Sequence, residues 1–139
     1  MNAIETEKEF ITNFIRKEKR ERSIWTLSHK KKRSDFIDKF NHNWNEMIVE
    51  KNVTQLQDTS DAETYATLKS ELNLKDTDIC YIISHNDAID GQFLELQNAF
   101  KHCQNNGFAE LIISENGKKF YLKTEQEFGA AAKFIGKIK

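Results

Sequence analysis

Apolar residues in the first third of the chain recur every three or four positions. They run Phe10, Ile11, Phe14 and Ile15, then Ile24, Trp25 and Leu27, then Phe36, Ile37 and Phe40. That spacing places each group on one side of a helix. Thr6–Glu9 (TEKE) reads as a capping box, with Thr accepting an orphan backbone N–H and Glu reaching back to the cap. A first helix is therefore expected to open there, pass through the all-polar turns RKEKRER and end near Ser28. A second is expected over about residues 30–42 and to end at NHNWN (41–45), where helix propensity is low. Trp44 fits as the anchor of that helix.

The pattern changes after residue 60. SDAE (60–63) is another capping box, and Ala62, Tyr65, Leu68 and Leu72 line a third helix. ICYII (79–83) is an unbroken apolar run, which suits a strand covered on both faces. Phe93, Leu96, Phe100 and Cys103 predict a fourth helix closing near Gly107. Leu111–Ile113 and Phe120–Leu122 read as strands joined by an Asn116-Gly117 hairpin. TEQE (124–127) then opens a C-terminal helix lined by Phe128, Ala131, Ala132 and Ile135.

These elements imply an α+β fold: a helical N-terminal half followed by a small mixed three-stranded sheet packed with helices. A fourth strand would come from residues 49–57 at the edge. The strands at 79–83 and 111–113 are linked through a helix, so they are expected to lie parallel. One domain over 1–139 is expected, with a basic helical pair (1–45) and a helix plus β-α-β-β-α unit (60–139). Two helices alone bury little, and a small sheet needs a helical layer.

Composition sharpens this reading. Ten Phe, two Trp and three Tyr in 139 residues supply core area to a chain that is 31% charged. No apolar run approaches the roughly 20 residues of a membrane span, and the acidic start MNAIETEKEF does not read as a secretory signal. Cys80 and Cys103 are the only cysteines. Their separation points to a reducing cytoplasm rather than a disulfide framework.

Net charge is −1, yet residues 16–33 hold nine Lys or Arg against Glu18 and Glu21, a local +7. The remainder of the chain therefore carries −8. Such a stretch can gather cations on one surface to displace counterions from phosphates, with Trp25 placed to stack on a base. It can equally be a solvated helix face, or find its acids at 54–78, where six Asp or Glu stand against two Lys. The candidate binding residues are Arg16, Lys19, Arg20, Arg22, Trp25, Lys30, Lys31, Lys32 and Arg33.

RERSIWTLSHKKKRSDFIDKFNHNW, then CYIIS, DAIDG, LELQNAF and GFAELIISENGKKFYLKTE, resembles a family of small uncharacterised bacterial proteins. The resemblance spans most of the chain. It implies one domain in a bacterial cytosol and carries no activity with it.

The loop Ser84–Gly91 gathers a hydroxyl, an imidazole and two carboxylates. His85, Asp87 and Asp90 there form a polar candidate site of the general-base or hydrolase kind. Against this, Asn-Asp and Asp-Gly are ordinary turn formers, and Asp87 and Asp90 suit the entry to the fourth helix. Both cysteines fall on apolar stripes, which favours inert thiols over nucleophiles. No metal-ligand spacing, G-x-G-x-x-G or Walker loop occurs, so no catalytic residue, metal or cofactor is assigned. The sequence thus favours a non-enzymatic macromolecule-binding protein, immunity-like or regulatory, with a protein partner. The alternatives are an RNA- or DNA-binding module using residues 16–33 and a hydrolase-like enzyme at 84–91.

Overall fold

A six-stranded sheet lies between two helical layers, in an α+β arrangement. The structure, a computed structural model, describes residues 1–104, 107–125 and 131–138. The strands are β1 (Val53–Gln55), β2 (Ile79–Ser84), β3 (Phe93–Glu95), β4 (Glu110–Ser114), β5 (Lys119–Lys123) and β6 (Lys133–Lys137). Their spatial order is β1-β6-β5-β4-β2-β3 and every adjacent pair is antiparallel.

The helices are α1 (Ala3–Phe14), α2 (Lys17–Ser28), α3 (Arg33–His42), the single turn α4 (Trp44–Met47), α5 (Asp61–Leu72) and α6 (Leu96–Gln104). The first four cover one sheet face. Phe10, Phe14, Phe36 and Phe40 pack there with Tyr81, Ile83, Leu111, Ile113, Phe120 and Leu122. Helices α5 and α6 cover the other, where Leu68, Leu72 and Phe100 meet Cys80, Ile82, Ile112, Tyr121 and Ile135. Successive strand side chains point to opposite faces. Unbroken apolar runs such as Ile79–Ile83 follow from burial on both faces.

Several expectations are corrected. The sheet is neither three- nor four-stranded, and it is not mixed. The run at 79–83 reported burial on both faces, which does not set strand direction. Phe93–Glu95, expected at the start of a helix, instead returns beside β2 as strand β3. The crossover through α6 therefore links β3 to β4, and β2 pairs antiparallel with both.

The C-terminal helix is replaced, among the described residues, by β6. Phe134 faces the helix-rich core and Ile135 the opposite one, and β6 bonds to β5 and β1. Phe128 and the end of the TEQE box lie outside the described residues. Residues 53–55 do form an edge strand, β1.

The first helix also divides. Its true cap is Asn2, whose side chain accepts from the Glu5 N–H at 2.9 Å. Thr6 lies within α1, buried, with its hydroxyl donating to the Glu115 carbonyl at 2.6 Å. Ile15 and Arg16 leave the helical conformation because Ile15 bridges to Ile48 and Arg16 N–H donates to the Met47 carbonyl. On α5 the predicted box holds: Ser60 accepts from Glu63 N–H. Its buried stripe is Thr64, Leu68 and Leu72, with Ala62 exposed. Trp44 packs against Phe134 at 4.3 Å between ring centroids, as an anchor.

Candidate functional site

The polar chemistry of the molecule centres on Arg33, at the start of α3. Its N–H groups are fully committed. Nε and Nη2 donate to the two Asp90 carboxylate oxygens at 2.8 and 3.2 Å. Nη1 donates to Glu7 Oε2 at 2.6 Å and to the Leu27 carbonyl at 3.0 Å, and Nη2 also donates to Tyr81 Oη at 3.1 Å. The Tyr81 hydroxyl in turn donates to Glu7 Oε2. Asp90 Oδ1 accepts from the Ser84 N–H at 3.1 Å, which ties the 84–91 loop to the network. Elements far apart in sequence thus meet at one side chain: α1 through Glu7, the end of α2 through Leu27, and β2 through Tyr81.

Burial acts against the Arg33 charge. The hydrogen bonds to Asp90 and Glu7 outweigh it and hold the guanidinium above its ordinary range. Burial, followed by the bond to Glu7, raises the Tyr81 phenol above its usual value of 10.0. Burial does the same for Tyr121. The folded state therefore holds these protons more tightly than the unfolded chain does. The stabilisation is complete below about pH 10 and is lost as pH rises further through the folded values. Urea midpoints are expected to fall steadily above pH 10, and with a shallower slope in Tyr81→Phe. An unchanged slope in that variant would remove Tyr81 from the account.

The sequence-derived candidates separate into two groups. Arg33 is internal, and two other members of the basic stretch close the backbone. Arg16 donates to the Ile48 and Asn45 carbonyls at 3.0 and 2.8 Å and lies 3.5 Å from Glu50. Arg20 donates to the Ile15 carbonyl at 2.9 Å. The acids at 54–78 are not the partners of this stretch: Asp61, Glu71 and Asp76 lie beside Lys133, Lys137 and Lys69.

The second group is exposed. Trp25 is 46% exposed, with the Arg22 guanidinium 5.4 Å from its ring centroid and the His29 ring at 4.3 Å. His29 Nδ1 is 2.7 Å from the Trp25 carbonyl, which fixes that ring beside the indole. Lys30, Lys31 and Lys32 form an exposed 3₁₀ turn directly after α2. Lys19 lines a cleft of about 410 Å³ between α2 and α3, and Trp25 and Lys32 line an adjoining one of about 380 Å³.

The three loop candidates point to different partners. His85 Nε2 lies 2.8 Å from Asp38 Oδ1, but off the line that a directed N–H···O bond requires. Asp87 is exposed. Asp90 serves Arg33 and Ser84 rather than capping a helix. Cys80 and Cys103 are buried and free. Burial pushes the Cys80 thiol up to about 12 and raises Cys103 as well, opposite to what a nucleophile needs. Among the described residues, no three His, Cys, Asp or Glu side chains converge as a metal site would require, and no helix is long and apolar enough to cross a membrane.

Sequence reasoning missed Glu7 and Tyr81. Glu7 precedes an apolar stripe like any first-turn acid, and Tyr81 sits within an apolar run, so neither position signalled a charged partner.

Comparison of the chain with protein-family models, with curated proteins and with solved structures found no match.

Proposed function

We propose that this chain is a non-enzymatic protein-binding domain, immunity-like or regulatory, that engages its partner through the Trp25 face of α2. The observation that carries this reading is an exposed indole held in place by Arg22 and His29. Tryptophan and arginine are the side chains most enriched among residues that dominate binding energy. A pre-ordered indole also loses little freedom on contact.

Charge favours a protein over a nucleic acid. The two clefts beside Trp25 are lined by Lys19, Arg22, Lys32 and Lys39, but also by Glu18, Asp35, Asp38 and Glu46. A phosphate backbone draws its affinity from a net cationic surface, whereas a balanced rim suits a protein. The nucleic-acid alternative rests on the exposed Lys30–Lys32 turn. A hydrolase-like role at 84–91 has less support, since Asp90 is committed to Arg33. A bacterial cytoplasmic setting follows the resemblance, and the two free buried cysteines suit a reducing compartment.

The test is an affinity capture from the native host at moderate salt, with the intact chain and with Arg22→Ala/Trp25→Ala. A stoichiometric protein partner is expected with the first, and at least a roughly tenfold loss with the second, the scale of a dominant contact pair. Retention of the partner by the double variant would refute the Trp25 face. RNA or DNA binding that weakens steeply with salt, and disappears on charge reversal at Lys30–Lys32, would replace the protein reading.

A further inference from the structure

The groove between α1 and α2 lies beside Glu7, Arg33 and Tyr81, and has a volume of about 420 Å³. That is within the range of small-molecule sites, roughly 300–1,000 Å³. Its walls are apolar: Ile4, Ile11, Ile24 and Leu27 line it, and Ile4 at its edge is 62% exposed.

The polar groups within the groove are unequal. All five Arg33 N–H donors are used, and the Tyr81 proton is given to Glu7 Oε2. No donor of this network is left for an anion. Glu7 is 8% exposed and lines the groove, yet only its Oε2 accepts a hydrogen bond; Oε1 accepts none among the described residues. Charge gives the same direction. Arg33 stands against two carboxylates, Glu7 and Asp90, which leaves one negative charge in excess. Lys8 also lines the groove and opposes that excess in part.

We infer that the α1–α2 groove is a binding site for a small apolar ammonium ion. Its N–H groups donate to Glu7 Oε1 and its hydrocarbon body lies among Ile4, Ile11, Ile24 and Leu27. An open acceptor, an excess negative charge and apolar walls together match a primary amine on a short apolar chain or ring. A carboxylate or phosphate would meet like charge with no free donor. This site is separate from the Trp25 face, because α2 turns Ile24 and Leu27 toward the groove and Arg22 and Trp25 toward α3. Loss of either site would therefore leave the other reading standing.

The test is an isoleucine-methyl NMR titration of the full chain with phenethylammonium chloride, with 3-phenylpropionate as the matched anion. Saturable shifts at Ile4, Ile11 and Ile24 are expected with the cation and not with the anion. Glu7→Gln keeps the side-chain shape but removes the charge, and is expected to weaken binding by about tenfold or more. Lys8→Ala, which removes the opposing cation from the exposed face of α1, is expected to tighten it about twofold to threefold. If Glu7→Gln fails to fold, Lys8→Ala and an exposed-edge change, Ile4→Lys (expected to weaken binding), decide in its place. Non-saturating shifts, equal response to the anion, or shifts confined to residues outside the groove would overturn the assignment.

Discussion

Replacing Arg33 with methionine is expected to destabilise the fold by about 3 kcal/mol or more, the scale seen when one partner of a buried ion pair is removed. For a chain of this length that corresponds to a fall of roughly 10 °C in the thermal midpoint. The cause is what stays behind. Glu7 and Asp90 have side chains only 10% and 15% exposed, and both lose their cation. The Leu27 carbonyl and Tyr81 Oη lose a donor too. Methionine fills much of the same volume, so the loss reports charge and hydrogen bonding rather than a cavity.

Arg33→Lys should rescue little. An ammonium has three donors on one nitrogen and cannot span two carboxylates, a carbonyl and a phenol in the fork geometry that guanidinium supplies. Adding Glu7→Gln and Asp90→Asn to Arg33→Met should recover part of the loss, because the stranded charges go with it. Thermal and urea unfolding of the four proteins measures all of this. A cost for Arg33→Met below about 1 kcal/mol, the level of an exposed ion pair, would show that the network is a surface feature.

Gly136→Ala is expected to be the most disruptive single-methyl addition, at about 1–3 kcal/mol for overpacking a core. Gly136 on β6 pairs with Phe120 on β5, and that ring lies over the glycine. A Cβ at Gly136 would sit 2.6 Å from Phe120 Cδ1 and closer still to Cε1. The ring has nowhere to go. Phe10 and Phe14 meet it edge-on at centroid distances of 5.4 and 4.8 Å, and Phe40 stands at 6.2 Å.

The strain of Gly136→Ala should therefore pass from the sheet into α1 and α3. The discriminating measurement is a double-mutant cycle with Phe120→Leu. Phe120→Leu alone should destabilise by leaving a gap in the aromatic cluster. Combined with Gly136→Ala it should cost clearly less than the sum, since the smaller side chain yields the space that the methyl needs. Strict additivity in denaturant midpoints would mean that the two residues do not compete for that space.

Helical parts of this fold were largely legible because their signals are local. Phe36, Ile37 and Phe40 lie on one side of α3 whatever the rest of the chain does, and the Ser60 cap works within four residues. Even so, the broken helix at Ile15–Arg16 was hidden. Its cause is a bridge to Ile48 and two backbone bonds to residues more than thirty positions away. Strands were partly legible. Ile79–Ile83 and Phe120–Leu122 stood out by composition, but Phe93–Glu95 and Lys133–Lys137 carry only one or two large apolar residues each. Their state is decided by which neighbouring edge offers hydrogen bonds, so tertiary pairing overrides a weak local preference.

The candidate sites divide in the same way. Residues 16–33 announced a cationic stretch, and Trp25 stood out as its one large aromatic, because charge and aromaticity belong to the residues themselves. Sequence order could not show that Arg33 turns inward while Lys30–Lys32 stay outside, or that Asp90 leaves the 84–91 loop to meet it. By itself the sequence determined which positions are apolar, where helices begin, and that positive charge is concentrated near the N-terminus. Only the tertiary structure decided strand direction, the groove beside Glu7, and the pairing of Arg33 with carboxylates 26 and 57 residues away. The physical reason is range: periodicity and capping act over one or two turns, whereas a buried charge is paired by whatever opposite charge the completed fold brings within about 3 Å.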